Sequence, residues 1–326
     1  MTAPPLGGEQ ALHLLATMWR IRLFEERVGQ LKRADEVHGL VHLSVGQEGV
    51  AAGVCTQLRD DDAVYSGHRA HGHAIAKGAS LDRVMAELMG RDGGLCRGLG
   101  GSMHLVDREH GFLGATGVVG GNVPIALGSA LAARLRGDDA VAVVFFGDGA
   151  VQVGHFNETV NLAALWQLPI VLVCENNGFA EFTPRSAHTV VERVTDVVAP
   201  YGLERETVDG NDVVAVFAAF GRYLAAAREG GGPVLLECLT HRLRGHYEGD
   251  PGAYREALAA ADWQEKDPIV RLQRCGIDAG WFAESALQAI EADAAEAVEA
   301  SVRFARASPF PDSGLTASMV YAAPTG

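Results

Sequence analysis

The chain has 326 residues, with Lys+Arg 27 against Asp+Glu 41 and a formal net charge of −14. At 48% apolar and 21% charged residues it can bury a substantial core, which excludes a disordered chain or a small stapled fold. The negative balance disfavours generic binding to nucleic acid or to an anionic membrane, so any phosphate it holds must meet a local basic or metal site.

Five widely spaced cysteines suit neither a disulfide framework nor a metal clip, and point to a reducing compartment. The longest apolar run, residues 213–220, is far short of the ~20 residues of a membrane helix. Residues 1–8 resemble neither a secretory signal nor a transit peptide. A cytoplasmic protein is expected, bound neither to a membrane nor to nucleic acid.

In chain order, residues 1–10 read as a flexible start. Residues 9–36 place Leu12, Leu15, Met18 or Trp19, Leu23, Val28 and Leu31 near helical spacing, and predict a long amphipathic helix. A loop around His42, a helix over 47–57 and a short strand at 63–65 follow, the strand running into a histidine-rich turn. Residues 81–89 are helical. Eleven glycines then lie between Gly90 and Gly121, in a stretch with little strand or helix pattern. Backbone folded close to a ligand and an ordinary connector both fit that composition.

Residues 123–136 predict a helix rich in small side chains, and 140–146 a strand buried on both faces. A crossover helix over 155–166 and a second buried strand over 170–174 complete a βαβ unit. Strands at 204–208 and 234–240 flank a helix over 213–227. Residues 268–275 and 279–307 read as helices, and 308–326 as an irregular tail. The class is α/β: a mostly parallel sheet flanked by helices, with N- and C-terminal helical extensions and one domain over residues 11–307.

Open parallel sheets bind ligands beyond the carboxyl ends of their strands. Two such ends carry Gly147-Asp148-Gly149 and Asn176-Asn177. A carboxylate and an amide oxygen are hard ligands that suit Mg²⁺, and glycines beside a helix start suit a diphosphate. Nothing in the chain reads as the G-x-G-x-x-G of a dinucleotide fold. Around the first strand, His68, Arg69, His71 and His73 fit a catalytic group, a metal cluster or a solvated turn.

The segment GDGAVQVGHFNETVNLAALWQLPIVLVCENN closely resembles the thiamine-diphosphate motif of the E1 α subunits of 2-oxo acid and acetoin dehydrogenase complexes. Residues 37–49, 65–72, 98–105, 114–128, 241–251 and 308–312 resemble further landmarks of that family, in order, over roughly residues 15–315. The resemblance implies a thiamine-diphosphate-binding fold. It implies Mg²⁺ held by the side chains of Asp148 and Asn177 and the carbonyl of Phe179. Arg69 and Arg242 match diphosphate-binding arginines, and Gly149 and Ala150 match backbone donors. Gly117 and Val119 match contacts to the aminopyrimidine ring. His42 and His71 match active-site histidines, and His246 the histidine of a loop that orders over the cofactor. His73, His104 and His110 are read as structural or surface residues.

The family's aminopyrimidine-activating glutamate belongs to a β subunit, so the resemblance implies an α2β2 assembly that is inactive without β. The acyl unit, from acetoin or from a pyruvate-like 2-oxo acid, would pass to the lipoamide of an E2 protein. A carboligase subunit and a non-catalytic structural subunit are the alternatives. Three departures stand out. His68 replaces a frequent Tyr, while Tyr247 and Ala253 stand where regulated members carry phosphorylated serines, so no kinase control of that type is expected. The Gly245–Asp250 form of the loop looks closer to the acetoin branch.

Overall fold

The computed structural model describes residues 6–254, 263 and 265–315. The outer parts of the expected flexible start and irregular tail, residues 1–5 and 316–326, lie outside them. Helix α1 (Gly8–Arg33) opens the fold and is followed by α2 (Glu48–Cys55) and strand β1 (Ala63–Ser66). Then come α3 (Ala70–Lys77), α4 (Leu81–Leu88), β2 (Phe112–Ala115), α5 (Asn122–Arg136) and β3 (Ala142–Gly147). A 3₁₀ turn (Asp148–Gln152) leads into α6 (Gly154–Leu165) and β4 (Ile170–Asn176). A small β5 (Phe179–Ala180) and β6 (Thr183–Pro184) hairpin precedes α7 (Arg185–His188) and α8 (Val194–Val198). The described order ends with β7 (Glu204–Asp209), α9 (Val213–Arg228), β8 (Val234–Leu239), α10 (Pro268–Asp278) and α11 (Glu284–Ala307).

The main sheet has six strands in the order β2-β1-β3-β4-β8-β7, all paired in parallel. The order reverses between β1 and β3, because β1 leads outward to β2 before the chain returns to β3. Such a switch point leaves a crevice at the carboxyl ends of the two strands. Alternation of side chains explains why β3 and β4 are apolar until their carboxyl ends: Val143, Phe145, Val171 and Val173 enter the core under α1 to α4 and α9. Val144, Phe146, Ile170 and Leu172 enter the opposite core with α5 and α6. No helix among the described residues is long and apolar enough to cross a membrane.

Three local expectations change. The histidine-rich turn after β1 is a two-turn helix, α3, ended by Gly78 at φ 115°. Part of the glycine-rich stretch is strand β2. The C-terminal helix starts at Glu284, because Gly280, at φ 68°, closes α10 and Trp281 N–H donates back to the Gly276 carbonyl.

The rest of the glycine-rich stretch wraps a buried carboxylate. Glu87, at the end of α4, accepts hydrogen bonds from the backbone N–H groups of Cys96, Gly98, Gly100 and Gly101 at 2.7–3.0 Å. Gly98 and Gly101 have φ of 75° and 62°, so side-chain-free residues let the chain curl around the charge. This loop carries Ser102 and Met103 to the edge of the crevice.

Candidate active site

A cavity of about 470 Å³ opens at the carboxyl ends of β1, β3 and β4. His42, His68, Arg69, Gly117, Val119, Gly149, Ala150, Asn177, Phe179, Arg242 and His246 line it. The topology thus brings together segments from residue 42 to residue 246. Two predicted residues do not line it. Asp148 lies fully buried in the turn that carries Gly149, and His71 is buried on the side of α3 away from the cavity.

Helix phase decides between His71 and its neighbour. Arg69 caps α3, and His73, four residues on, shares its face, whereas His71 sits about 200° from His73. His73 lines the cavity, stacks on Phe145 at 3.8 Å, and hydrogen-bonds Ser66 Oγ at 2.8 Å and Glu175 Oε1 at 3.3 Å. His71 instead bonds Glu25 Oε2 at 2.9 Å and Ser102 Oγ at 2.8 Å, and Glu25 also accepts from Ser44. His71, expected as an active-site histidine, does not line the cavity: it is tied to Ser102, which precedes the cavity-lining Met103, and through Glu25 to Ser44, two residues after the cavity-lining His42. His73, read as structural or surface, is buried with both ring nitrogens bonded, and it also lines the cavity.

His42, His68 and His246 meet with ring centroids 4.6–5.3 Å apart. Burial, then Arg69, lower His42 to about 3; burial, then Arg69 and Arg242, lower His246 to about 4. His68 is lowered well below the usual range by the same causes in that order: burial first, then Arg69. Three imidazoles at the mouth are therefore neutral near pH 7. Arg242 Nη1 and Arg69 Nη2 point at His246 Nδ1 from 3.1 and 3.4 Å. Guanidinium groups only donate, so Nδ1 is the acceptor and the ring proton is on Nε2.

Arg69 is buried and donates to the carbonyls of Leu43 and His246, both at 2.7 Å. Burial, then Arg242, lower it to about 9. Two cations this close in a poorly hydrated site call for an anion between them. Arg242 also donates to the Glu181 carbonyl at 3.1 Å, and Asp250 accepts from Tyr254 Oη at 2.8 Å, which ties the 241–254 segment over the crevice.

Asp148 follows β3 and Asn177 follows the adjacent β4, and Gly147 is in register with Glu175. The Asp148 carboxylate is 0% exposed, and neither oxygen accepts a hydrogen bond of ordinary geometry, although the backbone N–H groups of Asp148 and Asn177 approach it closely enough to favour its charged form. Burial raises its pKa, while Arg185 pulls the other way. Asn177 Oδ1 accepts from Phe179 N–H and its amide donates to Gln47, both at 3.3 Å. An orphaned buried carboxylate beside an amide oxygen fits a hard divalent cation. A Cβ on Gly147 would meet nothing within 4 Å, whereas one on Gly149 would approach Ala180 Cβ to 2.7 Å. Gly149 thus lets the 178–180 segment close on the turn, and Gly147 leaves room above it.

Sequence reasoning passed over the residues that hold this set. Glu237, 0% exposed in β8, takes Asn176 Nδ2 at 2.7 Å and the N–H groups of Val194 and Thr195. A lone carboxylate inside an apolar strand was the available signal. Arg185 and His188 reach Asp148 from α7, with no local signal at all.

Residues 16–313 match the family described as "Dehydrogenase E1 component". The acetoin:2,6-dichlorophenolindophenol oxidoreductase α subunit of Bacillus subtilis is 43% identical over 97% of this chain and 95% of that protein. The subunit of the same name from Cupriavidus necator is 43% identical over 95% of this chain and 93% of its own length. The pyruvate dehydrogenase E1 component α subunit of Rhizobium meliloti is 41% identical over 95% and 90%.

Proposed function

The chain belongs to the dehydrogenase E1 component family, and on that premise we propose that it is the α subunit of a thiamine-diphosphate-dependent enzyme that cleaves acetoin. The acyl unit passes to the lipoamide of an E2 protein, and activity requires a β subunit. The carrying observation is the buried Asp148 carboxylate without a hydrogen-bond partner, next to Asn177 and below a cavity flanked by two arginines.

Asp148, Asn177 and the Phe179 carbonyl would hold Mg²⁺. Arg69 and Arg242 would take the diphosphate, with backbone N–H groups of Gly149 and Ala150, and the backbone of Gly117 and Val119 would seat the aminopyrimidine. Bound thiamine diphosphate supplies an electron sink for breaking the carbon–carbon bond beside a carbonyl. His246, with its proton on Nε2, serves as a neutral donor toward the substrate's oxygen, and His42 as its partner in proton handling. His71 acts only through the walls it braces.

Acetoin is favoured over a 2-oxo acid because two relatives named as acetoin:2,6-dichlorophenolindophenol oxidoreductase α subunits are 43% identical to the chain, and the Gly245–Asp250 form of the loop looks closer to that branch. Val118 and Val119 at the rim are 66% and 55% exposed, and Leu40 beside them is 55% exposed, which supports a partner chain covering this side. The test is co-purification with the β chain, calorimetry with thiamine diphosphate and Mg²⁺, and dye reduction with acetoin and with pyruvate. Reduction with acetoin and not pyruvate is expected; the reverse preference overturns the substrate assignment. Absence of cofactor binding by the complex overturns the whole reading.

A further inference from the structure

Arg185 is held as a fixed charge beside the candidate metal ligand. Its Nε donates to the Glu192 carbonyl at 3.0 Å and its Nη2 to the Val191 carbonyl at 3.1 Å. Its backbone N–H donates to the Gly178 carbonyl at 2.8 Å, inside the segment that carries Asn177 and Phe179. The remaining nitrogen, Nη1, is buried without a hydrogen-bond partner and lies 3.7 Å from Asp148 Oδ2. His188 Nε2 stands 3.9 Å from the same oxygen. The guanidinium is thus pinned through two bonds of its own, and the residue through a third from its backbone, close enough to Asp148 for an ion pair but without a hydrogen bond to it.

A divalent cation on Asp148 would share this poorly hydrated pocket with a positive charge that cannot swing away, and like charges so placed oppose each other strongly. A cation arriving with a diphosphate brings its own negative charge, and for that joint ligand Arg185 is neutral or attractive. Resting on the metal assignment made above, we propose that Arg185 is the resident counter-charge of Asp148: it keeps free divalent cation out of the site and makes metal binding conditional on the diphosphate. Metal and cofactor then bind with positive coupling, and Arg185 sets its size.

Mn²⁺ titrations followed by electron paramagnetic resonance, on the α–β complex with and without thiamine diphosphate, test this. For the native chain, Mn²⁺ alone binds at least about tenfold more weakly than Mn²⁺ with the cofactor. Arg185→Gln tightens Mn²⁺ alone by about tenfold, about 1.4 kcal/mol, and shrinks the coupling accordingly. Arg185→Lys keeps the charge and stays near native. Arg185→Met, also uncharged, gives the Gln result should the Gln variant not fold. A Gln or Met variant whose affinity for Mn²⁺ alone is unchanged or weaker overturns the proposal, as does a Lys variant that behaves like Gln; in those outcomes Arg185 is only a loop staple. Asp148→Asn separates the two assignments. It abolishes Mn²⁺ binding under both conditions, and native-like binding in that variant overturns the metal site itself.

Discussion

Two fully buried aspartates stand at opposite ends of the parallel sheet. Asp62, at the amino end before β1, accepts from Arg228 through both oxygens and from the N–H groups of Arg59 and Val141. Asp148, at the carboxyl end after β3, accepts no hydrogen bond of ordinary geometry from any described residue. Both are 0% exposed, so burial alone does not distinguish them. Satisfaction does: Asp62 is a stability device with its hydrogen bonds built in, and Asp148 faces the Arg185 charge at 3.7 Å but has its hydrogen bonds unmade, which leaves it open to a ligand from outside the chain. The amino end of the sheet is closed by its own side chains, and the carboxyl end is held open.

Substitutions should separate the two ends. Asp62→Ala leaves Arg228 without its carboxylate and should destabilise the chain by about 3 kcal/mol, read from urea midpoints at constant slope. Cofactor affinity of the surviving folded complex should change little; a large loss there would blur the distinction. Asp148→Asn should do the opposite, weakening Mg²⁺-dependent thiamine diphosphate binding by about 100-fold or more (about 2.7 kcal/mol) in calorimetry. Its thermal midpoint should fall less than that of Asp62→Ala, since Asp148 faces Arg185 at 3.7 Å without a hydrogen bond, whereas Asp62 holds Arg228 through both oxygens.

Smaller effects test the supports. Glu237→Gln weakens the hold on Asn176, the neighbour of the candidate ligand Asn177, and should cost less than the roughly tenfold in metal affinity usual for partners bonded directly to a ligand, with folding retained. At the mouth, His42, His68 and His246 have folded pKa values below the unfolded value of 6.5. The unfolded chain then binds more protons between about pH 6.5 and pH 4, so stability falls as the pH drops through that window. His68→Tyr should make this acid loss shallower in denaturation curves taken across it; an unchanged pH slope would mean that His68 is not held neutral.

Much of the site was legible along the chain. Asp148 and Asn177 could be placed from the alternation of apolar strands and the residues that end them, because both sit one residue beyond a strand. Arg69, His42, Arg242 and His246 came from the resemblance of their segments, and the structure gathers them at one cavity. His71 and His73 fall on different sides of one helix for a definite reason. Read as a turn, 68–73 gives no phase, so neither histidine has a side; read as α3, Arg69 and His73 fall on one face. The glycine-rich stretch gave no clue to Glu87, because its binding groups are backbone N–H groups that every residue has.

The amino-acid sequence by itself determined the α/β class, the parallel order implied by doubly apolar strands, and the acidic chain's need for a local cationic pocket. These follow from composition and from periodicities of 2 and 3.6 residues, which are properties of neighbouring positions. Only the tertiary structure decided which histidines face the cavity, that Glu237 reaches Asn176 from the next strand, and that Arg185 stands over Asp148. Those meetings depend on strand order, on helix phase and on how far a side chain reaches across a crossover, and no local pattern carries that information.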